Sequence, residues 1–178
     1  MIRFNLKKGF TLLEALVAVS ILMVAVVAPM TIAQKGLSSA TYSKSQMIAS
    51  YLAQDAIEYI KNVRDQVAIR NNFDWTKLWD ANESLNLYAC LGGGGCEIDT
   101  NSGGGVGLVR DYTGGALYKD ADGFYGLNSV GSDKTIFTRQ IKITKPGPSG
   151  NNNEALVTVT VGWTGGNSVE VKTLIFNY

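Results

Sequence analysis

From Phe10 to Gln34 the chain holds 25 residues with one charged side chain, Glu14, and the next acid or base is Lys35. At roughly 1.5 Å per residue this stretch makes a helix long enough to cross a hydrocarbon core of about 30 Å. Leu12, Leu13, Leu16, Val17, Val19, Ile21, Leu22, Met23, Val24, Val26 and Val27 leave no polar face, the pattern of a helix surrounded by lipid or by other helices. Pro29 removes one backbone hydrogen bond and predicts a kink or local melting there. Beyond Lys35 the period of a half-buried helix takes over. Ile48, Leu52, Ala56, Tyr59 or Ile60, Val63 and Val67 recur at three- and four-residue spacing, and Lys61 and Asp65 form an i,i+4 charge pair. Asn71-Asn72 is the expected stop.

Strand alternation governs the C-terminus. Ile136 to Thr144 places Phe137, Ile141 and Ile143 in phase. In Leu156 to Trp163, residues Val157, Val159, Val161 and Trp163 face one way and Thr158 and Thr160 the other. Thr164-Gly165-Gly166-Asn167 reads as a turn, and Val169 to Tyr178 as the returning strand. Between helix and strands the pattern weakens. Trp75, Leu78 and Trp79 suggest a short amphipathic turn, Leu85 to Leu91 an apolar patch, and Gly92 to Gly95 and Gly103 to Gly105 permissive loops. The chain divides into residues 1–9, a basic leader; 10–34, the apolar helix; 35–70, its amphipathic continuation; 71–135, a variable glycine-rich loop region; and 136–178, an antiparallel sheet of three or more strands. The class is α+β.

Composition narrows the chemistry. The 178 residues contain no His, which removes His-dependent triads and His metal sites. Net charge is +1, so nothing points to nucleic acid. Cys90 and Cys96 flank four glycines. With an extracytoplasmic location a Cys90–Cys96 disulfide is the preferred reading and two free thiols the alternative, while zinc would lack ligands. Asp120-Ala121-Asp122-Gly123 resembles the opening of a calcium loop, but the twelfth position is Gly131 rather than Glu, and an ordinary solvated turn is the preferred reading. Gly103-Gly104-Gly105-Val106-Gly107 lacks the Lys-Ser or Lys-Thr of a phosphate loop. No cofactor and no catalytic constellation is expected.

Arg3, Lys7 and Lys8 precede the apolar helix, and the positive-inside rule keeps the N-terminus cytoplasmic and exports the rest. A plain single-pass anchor leaves Glu14 unexplained, since a carboxylate at mid-bilayer costs roughly 2.5–3.5 kcal/mol. A secretory signal would have a shorter apolar core, and a cut after Val26-Val27-Ala28 would face Pro29. The run Lys8-Gly9-Phe10-Thr11-Leu12-Leu13-Glu14 resembles the processing site of type IV prepilins and type II secretion pseudopilins. The resemblance in motif covers residues 1 to about 35.

That resemblance implies a pilin-like fold and a prepilin peptidase cutting between Gly9 and Phe10, with N-methylation of the new terminus. It implies an assembly pair between Glu14 and the Phe10 amine of a neighbouring subunit. Implied partners are the peptidase, other pilin or pseudopilin subunits, an inner-membrane assembly platform and lipid. The implied location is the inner membrane, then an extracellular or periplasmic filament. Val159 to Thr164 is similar to the terminal hairpin of minor pilins and minor pseudopilins, so a non-enzymatic minor subunit of a pilus is the leading expectation. A type II secretion pseudopilin is the alternative within the fold, and an anchored enzyme or adhesion domain that never polymerises is the alternative outside it.

Overall fold

Helix α1 (Leu12–Arg70) carries the apolar stretch and its amphipathic continuation without interruption. The structure, a computed structural model, describes residues 11–72, 74–101, 109–145 and 153–177. The chain forms two units, Met1–Lys44 and Ser45–Tyr178, and α1 contributes to both. In the first unit every described residue is exposed. Pro29 lies inside α1 and does not end it; losing one hydrogen bond is not enough to break so long a helix, and the expected local melting is absent.

In the second unit the predicted stripe becomes a core face. Ala49, Leu52, Ala53, Ala56, Ile60, Val63 and Val67 are buried, with Ile48 and Tyr59 only partly so. Asp65 pairs with Arg64 at 2.7 Å rather than with Lys61. The helix ends after Arg70, where Asn72 adopts the left-handed conformation, φ 53°, common one residue past a C-cap.

Opposite α1 lies a five-stranded antiparallel sheet. Its strands are β1 (Cys96–Ile98), β2 (Val109–Asp111), β6 (Thr138–Thr144), β7 (Glu154–Trp163) and β8 (Asn167–Phe176), in the order β2-β1-β6-β7-β8. The register of β7 and β8 pairs Trp163 with Asn167, and Gly165 and Gly166, both with positive φ, make the connection. The inward faces are those the alternation predicts: Val157, Val159, Val161 and Trp163 are buried. Region 71–135 is more structured than its glycines suggest. It supplies β1 and β2 and a second small antiparallel sheet of β3 (Tyr118–Lys119), β4 (Tyr125–Gly126) and β5 (Asp133–Lys134), ordered β4-β3-β5. Strands of two or three residues are too short to show a period. Two 3-10 turns, Trp75–Trp79 and Tyr88–Leu91, bring Trp75, Leu78, Trp79 and Cys90 into the core. The architecture is α+β.

Candidate functional site

Thr11 opens α1. Its hydroxyl oxygen accepts from the Glu14 backbone N–H at 3.3 Å, and its carbonyl accepts from Ala15 N–H at 3.1 Å. Thr11 is therefore the N-cap and Glu14 the third helical residue, the spacing of a capping box. The Thr-x-x-Glu pattern is legible in the sequence and accounts for why the helix begins here. A carboxylate in the first turn also meets the positive end of the helix dipole. The Glu14 carboxylate accepts no hydrogen bond and forms no ion pair among the described residues. Around it Leu12, Leu13, Leu16 and Val17 are all exposed. One uncommitted charge thus stands at the start of a helix long and apolar enough to cross a membrane. Gly9 and Phe10, the expected processing residues, lie outside the described residues.

Residues 4–28 match the model of the prokaryotic N-terminal methylation motif. The chain carries that motif. It takes in Gly9, Phe10, Thr11 and Glu14 and most of the apolar half of α1. No curated protein and no solved structure matches the chain. The motif is consistent with a type IV pilin-like protein, and the helix behind it is long and apolar enough to cross a membrane.

The remaining sequence candidates fall in the second unit. Cys90 and Cys96 are joined by a disulfide that fastens the second 3-10 turn to β1, and both are fully buried. The Asp120 turn is internally committed. One Asp120 oxygen accepts from Phe124 N–H at 2.8 Å, and the other accepts from the Asn101 side-chain amide at 2.6 Å. Partial desolvation would raise the Asp120 carboxyl. The bonds from Phe124, Asn101, Asp122 and Gly123 outweigh it and hold the group below its ordinary value. Asp122 is exposed, and no group of three metal-ligating side chains occurs among the described residues.

One site has no sequence signal at all. Arg139 occupies a core-facing position of β6, in phase with Phe137, Ile141 and Ile143, and its side chain is fully buried. Its Nη1 donates to Leu52 O at 3.1 Å and to the Asp55 carboxylate at 2.9 Å, and its Nη2 donates to Ile98 O at 2.8 Å and Thr100 Oγ1 at 3.3 Å. Burial pulls the guanidinium below its usual value, and the charge and hydrogen bond of Asp55, then the charge of Asp99, pull it back. Helix, β1 and β6 are joined at this one side chain. Alternation alone assigns such a position to an apolar residue.

Proposed function

We propose that the chain is the precursor of a minor subunit of a type IV pilus-like filament. The peptidase cuts after Gly9, the Phe10 amine is methylated, and the subunit waits in the inner membrane until an assembly platform moves it into the filament. The observation that carries this reading is Glu14: a carboxylate without a partner among the described residues, in the first turn of an apolar helix, inside the methylation motif. Glu14 lies four residues after Phe10, about 6 Å along a helix axis. A neighbour displaced along the filament brings its Phe10 ammonium to that carboxylate. In a low-dielectric bundle an unpaired charge is costly and a paired one fixes register.

Two measurements test it in the native host. Mass spectrometry of the mature protein is expected to find a methylated N-terminus at Phe10. Glu14→Ala is expected to be cut normally yet recovered in sheared filaments at no more than about a tenth of the wild-type level, a deficit worth about 1.4 kcal/mol of assembly energy. An intact Met1, or undiminished incorporation of Glu14→Ala, overturns the proposal.

A further inference from the structure

On the second unit, α1, the segment after β1 and the turn leading into β4 line an open cavity of about 300 Å³. Tyr51 and Phe124 stand at its wall, 64% and 61% exposed, beside Tyr125, while Asp55, Thr100 and Asn101 supply its polar atoms. The hydrogen bonds already made decide what it can take. Thr100 Oγ1 has its one proton directed to Asp55 Oδ2 at 2.6 Å, with Tyr125 O at 3.4 Å beyond it, and already accepts from Arg139 Nη2. One N–H of the Asn101 amide is committed to Asp120. Arg139 is turned inward onto backbone carbonyls and offers the cavity no cation. Two acceptors are left over, Asp55 Oδ1 and Asn101 Oδ1, neither of which has a partner among the described residues.

We propose that this cavity binds an alkylammonium group: a primary amine on a short aliphatic stem, carried either by a lysine side chain or by a free alkylamine. The ammonium donates to Asp55 Oδ1 and Asn101 Oδ1. The stem and the charge lie against Tyr51, Phe124 and Tyr125, whose ring faces attract a cation and whose bodies cover methylenes. An anion would meet the Asp55 carboxylate, and no lysine or arginine lines the cavity to offset that charge. A neutral apolar group would cover an acceptor and leave it unpaired. A volume of this size, mostly apolar with a few convergent polar atoms, is that of a small-ligand site. The inference stands independently of the filament reading.

The test uses the full-length, isotope-labelled protein in lipid nanodiscs, titrated with n-butylammonium and, in parallel, with n-butanol. Saturable amide shifts at Tyr51, Asp55, Asn101 and Phe124 are expected with the amine. The alcohol is expected to bind at least about tenfold more weakly, as the loss of a charged donor predicts. Phe124→Ala and Asn101→Ala, both changes at exposed side chains, are each expected to weaken the amine about three- to fivefold. Two of them are used so that a folding defect in one leaves the other decisive. Nα-acetyl-lysine methylamide separates the sources: equal affinity points to a lysine of another polypeptide, much weaker affinity to a free amine. Equal binding of butanol, shifts that never saturate, or affinities indifferent to both variants would each overturn the proposal.

Discussion

Arg139 and Asp55 form an asymmetric pair: the guanidinium is fully buried, whereas the Asp55 side chain is about half exposed, at 49%. Removing either charge therefore has unequal consequences. Asp55→Ala leaves the buried cation to the more distant charge of Asp99 and to backbone carbonyls, and is expected to cost about 1–3 kcal/mol. Arg139→Met keeps the apolar volume, removes the buried charge and frees Asp55 to water, so it is expected to cost clearly less. Urea unfolding of both variants checks the order, and the reverse order would mean that the bonds to Leu52 O and Ile98 O matter more than the charge. A second residue-scale prediction concerns acid. The Asp120 carboxyl is depressed below 3.8 by hydrogen bonds that outweigh desolvation, so its contribution is present above that value and lost as pH falls through the lower folded one. The Phe124 amide resonance is expected to shift as pH falls below the ordinary carboxylate range, and Asn101→Ala should move its midpoint upward. A midpoint unchanged in that variant would show that the bond from Asn101 does not hold the group down.

The disulfide and Gly95 act on one element by different routes. Cys90 and Cys96 are six apart in sequence, and closing so short a loop is worth about 2–3 kcal/mol by constraining the unfolded chain. Replacing both with Ser should lower stability by that amount, read from urea midpoints. Gly95 has φ +73°, and a Cβ there would meet the backbone carbonyl of Ile141 on β6. Gly95→Ala is therefore expected to cost at least about 2 kcal/mol through strain in the folded state, an amount the Ser pair should not change if the two effects are independent. Such details mark how far the sequence could be read. The helix from position 12, the strands β6 to β8 and their inward valines follow from long, regular periods. The stripe on α1 was legible, but its alanines gave no sign of how closely β1 and β6 approach. Strands β1 to β5, of two or three residues each, carry no period, and their places are set by partners far away in sequence, as with Cys96 opposite Ile141. Arg139 breaks the alternation because its polar partners come from α1 and β1, and no local rule links these segments. Glu14 stood out for the opposite reason: a lone charge in an apolar run is visible without any tertiary information.

At the scale of the molecule, the two units obey different solvents. In the first, Leu12, Leu13, Leu16, Ile21, Leu22, Val24 and Ile32 are each at least 65% exposed, which water does not tolerate over so long a helix. In the second, the core begins at Ala49 and draws on α1, both 3-10 turns and both ends of the main sheet, with no buried residue before Ala49 among the described ones. The described part of the methylation motif and the packed core therefore share a helix but no buried side chain. It follows that the described part of the apolar half adds no buried side chain to the core around the sheet. A chain shortened to start at Lys35 keeps every core residue, the disulfide and the Arg139 bonds, and retains several exposed helical turns ahead of the first packed one. Fraying of those turns costs little because they bury nothing. The shortened protein is expected to be soluble without detergent, and its unfolding free energy should match that of the same unit in the full chain to within about 0.5 kcal/mol, the range of changes made away from packed surface. Urea titrations followed by tryptophan fluorescence make the comparison, since Trp75, Trp79 and Trp163 all lie in the core. A shortened chain that aggregates, or unfolds at a clearly lower urea concentration, would show that the apolar half helps to hold the sheet together, and the separation of anchoring from folding would fail.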